Sequence, residues 1–226
     1  MSIQTSFPVS MELFTSYREI ATDQSKAGKV MRTILMRLGS EVYEQICLAA
    51  ASADEDRGTA IYYVLHRAFG GGRCEKRVME ALADPYVSRV AKLALCVKRE
   101  YHHYFGFVRF REISGRFLLA KIQPGNDILS LMALHFSNRF PNENWVIYDE
   151  KRQKALCHEK GKECVMRKGV RIQVPGSAVG DMGEYEELWQ TFCDSISIEA
   201  RRNEKLQKQM LALHFRSNMP EFSMKG

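Results

Sequence analysis

The sequence predicts an α+β fold, and three observations lead there. Apolar residues recur at helical spacing up to about residue 104, alternate with a period of two from about 107 to 174, and return to helical spacing beyond about 183. One helical stretch, 127–140, interrupts the alternating region. The expected architecture is therefore an N-terminal helical region (about 20–105), an antiparallel sheet of four or five strands with one inserted helix (about 106–175), and C-terminal helices (about 183–222). Together they are expected to form a single domain over 1–226.

Taken in order, Asp23 is placed to cap a helix over 24–37, with Val30, Ile34, Leu35 and Leu38 at helical spacing and Gly39 as its stop. Ser40 is expected to cap the next helix, which carries Val42, Tyr43, Ile46 and Cys47. A third helix covers 55–68 and ends at Gly70-Gly71-Gly72. Asp84-Pro85 is a strong start signal: a carboxylate at the cap, then a proline where its missing N–H does no harm. That helix carries Val87, Val90, Leu93, Ala94 and Val97 to about residue 104.

Strands are expected at 107–113 and 117–123, joined by a turn at Ser114-Gly115. The helix 127–140 places Leu129, Met132, Ala133 and Phe136 on one side. A second strand pair follows at 145–149 and 154–159, with a further strand within 163–174. Residues 175–183 form a loop. Beyond it Tyr185, Leu188, Trp189, Phe192 and Ile196 make an apolar helical stripe, and another helix covers about 199–211.

Composition narrows the class. A 226-residue chain that is 45% hydrophobic and 27% charged can bury a substantial core. No run approaches the roughly 18 apolar residues of a membrane span. The opening residues lack the basic-then-apolar order of a signal peptide, so a cytoplasmic protein with reduced cysteines is expected. Charge is uneven. Residues 151–175 hold eight Lys or Arg against Glu159 and Glu163, residues 176–200 hold six acids and no Lys or Arg, and 201–226 are basic again. A basic block of this kind is either a solvated face or a surface that attracts phosphates.

Three clusters between residues 106 and 152 interleave rings with cations: Gly106-Phe107-Val108-Arg109-Phe110, His135-Phe136-Ser137-Asn138-Arg139-Phe140, and Trp145 through Arg152. This is the composition with which proteins hold a nucleic-acid backbone against an apolar scaffold. Alternation along 107–113 would put Phe107, Arg109 and Arg111 on one face, where two guanidiniums can grip phosphates; a structural ion pair of Arg109 with Glu112 or Asp149 is the competing reading. His102 and His103 end a helix, where cations suit the dipole; phosphate contact or proton transfer is the sharper role. His135 and Arg139, four apart, share a helix face. Arg201-Arg202-x-x-Lys205-x-x-Lys208 is either a solvated helix face or a backbone-binding stripe.

Other signals fail on context. The run 105–110 looks like the RNP1 segment of RNA-recognition domains, but a long helix precedes it instead of a βαβ unit. Gly70-Gly71-Gly72-Arg73 lacks the Gly-Lys-Ser/Thr of a phosphate loop. Cys157, His158 and Cys164 lack a fourth ligand and zinc-type spacing, so structural thiols are expected and no metal or cofactor. No catalytic constellation stands out.

Several stretches jointly resemble a bacterial family described as probable DNA metabolism or putative DNA repair proteins, over residues 22–222. They are Thr22-Asp23-x-x-x-Ala27-x-x-Val30, Glu100-x-His102, Ile122-x-Pro124-x-x-x-Ile128-Leu129, His135-Phe136-x-x-Arg139-Phe140, Trp145-x-Ile147-Tyr148-Asp149-x-x-Arg152, Leu188-Trp189, Ile198-x-x-Arg201-x-Asn203-x-x-Leu206-x-x-Gln209 and Glu221-Phe222. Members are typically encoded beside a radical-SAM protein thought to modify or repair DNA, and a related domain is fused to uracil-DNA-glycosylase-like domains. The chain departs from the pattern at His103 (an arginine in the family) and at Glu204 and Ala212 (prolines). The family also opens with a strand bearing Tyr-Asp-Gly and an apolar helix without counterpart here, so an uncovered sheet edge or core face is expected.

The resemblance implies a DNA-binding accessory protein in DNA repair or modification, with DNA and a radical-SAM protein as partners. Arg109, Arg111, His102, His135, Arg139, Arg152, Arg201 and Asn203 are the expected contact residues. Two alternatives stand beside it. One is a glycosylase-like or nuclease-like enzyme using Asp149 or His102 on a damaged base; the other is a protein-binding scaffold.

Overall fold

A computed structural model describes residues 2–4, 15–70, 76–113 and 117–172, and near the C-terminus 203, 205–206, 209, 211, 213–216 and 219. The chain divides into two compact units, Met1–Glu100 with Gly125–Asp127, and Tyr101–Pro124 with Ile128–Gly226.

The first unit is helical. Helix α1 (Gln24–Leu38) starts at Asp23, whose Oδ1 accepts the Lys26 N–H at 3.0 Å. It stops at Gly39, where φ is +96°, a conformation that glycine adopts without a Cβ penalty. Helix α2 (Ser40–Ala51) follows at once. Ser40, expected as its cap, is instead the first helical residue; Gly39 takes the cap position with no side-chain bond. Helix α3 spans Arg57–Gly70, a 3-10 turn covers Val78–Glu80, and α4 spans Pro85–Phe107. Asp84 caps α4, its Oδ1 accepting the Tyr86 and Val87 N–H groups at 2.8 and 3.2 Å.

The core of this unit joins Ile34 and Leu38 to Val42, Ile46, Val64, Val78, Val87 and Val90. Helix α1 contributes only the narrow line Ile34–Leu38. Val30 and Leu35, expected beside them, are 51% and 42% exposed, because one i, i+4 line is all that α1 turns inward. Gly58 sits where a Cβ would meet the Ile3 carbonyl at 2.9 Å, and Thr59 Oγ1 accepts the Ile3 N–H at 2.8 Å.

In the second unit α4 runs three residues past its expected end, with the Val108 N–H donating to the Tyr104 carbonyl at 3.0 Å. The expected strand over 107–113 is thus shortened to β1 (Arg111–Ile113). Short apolar runs fit either period, and here Tyr104 and Phe107 pack on Phe215 from the last helical turn, α6 (Leu213–Arg216). Next come β2 (Phe117–Ile122), α5 (Leu129–Arg139), β3 (Trp145–Asp149), β4 (Lys154–His158) and β5 (Val165–Lys168). The expected turn at 114–116, loop at 175–183 and stripe at 185–196 lie outside the described residues, as does most of 199–211, of which 205, 206 and 209 are helical.

The sheet order is β1-β2-β3-β4-β5. The fold is α+β, with the inserted helix where the sequence places it. One pairing departs from the expected antiparallel sheet: β2 and β3 are parallel. Helix α5 is the reason, since it serves as the crossover that parallel strands require. Register and alternation put Trp145, Ile147, Asp149, Leu156 and His158 on one face, where Phe136 of α5 meets Trp145. Ile113, Leu119, Tyr148 and Ala155 form the other, packed with Val170 and Ile172. Among the described residues no helix is long and apolar enough to cross a membrane.

Candidate functional site

The last turns of α4 carry His102 and Phe105, three apart and hence on one side; α5 carries His135 and Arg139, four apart. The fold stacks these two faces. The Phe105 and His135 rings lie 3.9 Å apart and 12° from parallel, and His102 meets the Phe105 edge at 5.8 Å. Phe136 closes the Phe105–His135 pair from beneath at 6.2 and 4.9 Å. The Arg139 guanidinium lies 5.6 Å from the Phe140 ring centre, cation over ring.

The electrostatics follow from this crowding. Burial, then the positive charge of Arg139, then that of His102, hold the His135 imidazole below its ordinary 6.5. His102 and Arg139 are exposed and His135 is half-buried. Three groups that carry or gain positive charge therefore repel one another around an aromatic floor. An anion placed between them would relieve that repulsion.

The remaining expected contact residues do not join this group. Arg109 Nη1 donates to the Gly106 carbonyl at 2.9 Å, binding the end of α4 as cations there commonly do. Since Phe107 and Arg109 precede the strand, the expected shared face of Phe107, Arg109 and Arg111 does not exist. Arg111 is exposed on the edge strand β1. Arg152 donates from Nη1 to Asp149 Oδ2 at 3.1 Å and to the Pro124 carbonyl at 2.9 Å. Its side chain is 18% exposed and that of Asp149 0%. Arg152 is thus a counter-ion in the sheet, in place of the expected surface contact. Asp149, which also accepts the Arg152 N–H at 3.1 Å, has no carboxylate to offer a substrate. Asn203 Oδ1 accepts the Leu206 N–H at 3.0 Å, the geometry of a helix cap, and Arg201 lies outside the described residues.

The soft-ligand cluster is likewise structural. His158 stacks on Trp145 at 5.1 Å and donates from Nδ1 to the Glu143 carbonyl at 3.0 Å. Cys157 points to the opposite sheet face, and the Cys164 Sγ lies 4.0 Å from the Ala133 carbonyl. Burial raises both thiols above their ordinary value.

Two residues carry more than the sequence reading assigned them. Phe105 is the ring on which the histidines assemble; its signal was the i, i+3 spacing from His102. Glu100 accepts the Gly125 N–H at 2.6 Å, the Asn126 N–H at 2.9 Å and the Asn126 amide at 2.6 Å. Asn126 Oδ1 in turn accepts the Ala53 N–H at 2.9 Å, so Glu100 ties the 125–127 segment to the first unit. Nothing local in the sequence pairs residues so far apart.

Fold and site together define an α+β protein with a histidine–arginine surface built on stacked rings. The chain belongs to the family described as a domain of unknown function (DUF4130), whose model matches residues 55–221, well over half of its length. No curated protein and no solved structure matches it.

Proposed function

We propose that the protein is a DNA-binding accessory factor in DNA repair or modification, acting in the cytoplasm with a radical-SAM partner, and that His102, His135 and Arg139 form its primary DNA contact. The observation that carries this reading is the convergence of those three groups, from two helices, around the Phe105 ring. Phosphate oxygens would lie among the cations, and the ring floor would exclude water beneath them. The kinship to probable DNA metabolism proteins supplies the repair context and the partner. Fluorescence anisotropy with duplex, single-stranded and uracil-containing DNA across a salt series tests it. Binding should weaken steeply with salt, and replacing His102 and Arg139 by Gln should flatten that dependence. Absent binding, or affinity indifferent to salt, rejects the reading.

A second reading, a protein-docking scaffold, is favoured by α1, where Val30 and Met36 are 51% and 82% exposed. Co-purification with the radical-SAM partner from nuclease-treated lysate, lost on Met36→Lys but kept on Arg139→Gln, would favour it over DNA contact.

A further inference from the structure

We infer that the sheet corner where the β3–β4 turn meets the exit of β5 is a second phosphate-contact surface, shaped for a nucleic-acid backbone. This inference rests on the DNA-binding reading and extends it to residues outside the His102–His135–Arg139 group. Its basis is the strand register. Lys154 of β4 and Lys168 of β5 are direct partners across the ladder, so their side chains leave the same sheet face side by side. The Val170 N–H donates to the Gln153 carbonyl at 3.1 Å, which draws the chain leaving β5 back onto the turn. Gln153 and Gly169, at φ 51° and 68°, supply the reversals. Lys151 and Arg171, both exposed, flank the lysine pair as a result.

The nearby acids do not offset these charges. Asp149 is engaged by Arg152, while Glu150 accepts Gln123 Nε2 at 2.7 Å and faces Lys121 at 3.7 Å. Like charges set directly opposite on neighbouring strands work against the fold. Guarding an exposed edge calls for charge on the outer strand, which Arg167 and Lys168 supply. It does not call for a second lysine beside them on β4. The far end of the same hairpin differs, since Lys162 is matched by Glu159 at 2.8 Å. A polyanion at the corner would turn the repulsion into attraction. A nucleic-acid backbone fits because it brings regularly spaced phosphates to several cations at once, whatever its bases.

The test uses the full chain and a fluorescent 20-base-pair duplex, with a 20-nucleotide single strand beside it. Lys154→Gln with Lys168→Gln should lower the slope of log affinity against log salt by about 1.8, or roughly 30-fold in affinity at 0.15 M salt, if each lysine neutralises one phosphate. Lys160→Gln with Lys162→Gln, the same charge change at the far end, should leave the slope within error. Thermal melts at low salt should place the Lys154/Lys168 variant at or above the parent protein. Should that variant lose its fold, Lys151→Gln, outside the ladder, should still lower the slope by about 0.9. If the parent protein binds DNA and the corner variants bind with unchanged slope, or the far-end control loses as much, the corner assignment is overturned while the primary contact stands. If the parent protein binds neither strand form, both fall.

Discussion

Replacing Arg152 by alanine separates a structural arginine from a DNA contact, because the two roles predict opposite measurements. Asp149 is 0% exposed, and its carboxylate accepts both the Arg152 guanidinium and the Arg152 N–H at 3.1 Å. Removing the guanidinium leaves a buried carboxylate without its counter-charge and the Pro124 carbonyl without its 2.9 Å donor. Breaking a buried pair from one side typically costs about 3–5 kcal/mol. With a urea slope of roughly 2–3 kcal/mol/M for a chain of this size, the midpoint should fall by about 1–2 M. Trp145, fully buried in β3 next to this pair, reports the transition; Trp189→Phe removes the other tryptophan signal. The double variant Asp149→Asn with Arg152→Met should recover a large part of the loss, since neither partner is then charged. A midpoint unchanged by Arg152→Ala, together with a drop in DNA affinity, would refute the argument and return Arg152 to the contact surface.

Other expectations are read in the same way. Asp84→Ala should destabilise by about 1–2 kcal/mol, measured by urea titration, through loss of the α4 cap and the 2.9 Å pair with Arg67. Burial pushes the Asp84 carboxyl up, but the Val87 N–H, Arg67 and the Tyr86 N–H more than offset it and leave it below 3.8. The cap's contribution is therefore complete above pH 3.8 and disappears as pH falls through the lower folded value, a loss that Asp84→Asn should not show. His135, held below 6.5 by burial, Arg139 and His102, stabilises the fold fully above pH 6.5 and progressively less as pH falls toward its depressed value. In an NMR titration Arg139→Gln should move the His135 midpoint upward. DNA should do the same, so affinity should rise between pH 7.5 and 6; a fall would contradict the contact. Glu100→Ala leaves three donors of Gly125 and Asn126 without their acceptor and should cost about 3 kcal/mol, with loss of amide exchange protection at those two residues.

How much of this was legible beforehand depended on the range of the physics involved. Asp23, Gly39 and Asp84-Pro85 act on their own helix ends, so α1 and α4 begin where the sequence places them. Period-two alternation found β2, β3 and β4, because each alternates between two packed faces. The pattern failed at 107–110, where a short apolar run suited both periods and ring packing on Phe215 decided for helix. His135 and Arg139 were readable as one helix face, but their meeting with His102 was not.

The order of elements, their caps and the faces of α5 and the central strands were written in the amino-acid sequence itself, since each depends on neighbours within a turn or a pleat. Tertiary structure alone decided which charges became counter-ions and which stayed on the surface. Arg152 found a buried carboxylate three residues away, whereas Lys154 met Lys168 across a ladder, and the difference lies in strand direction and register. Coulomb interactions at a few ångströms depend on distances that only the folded chain sets.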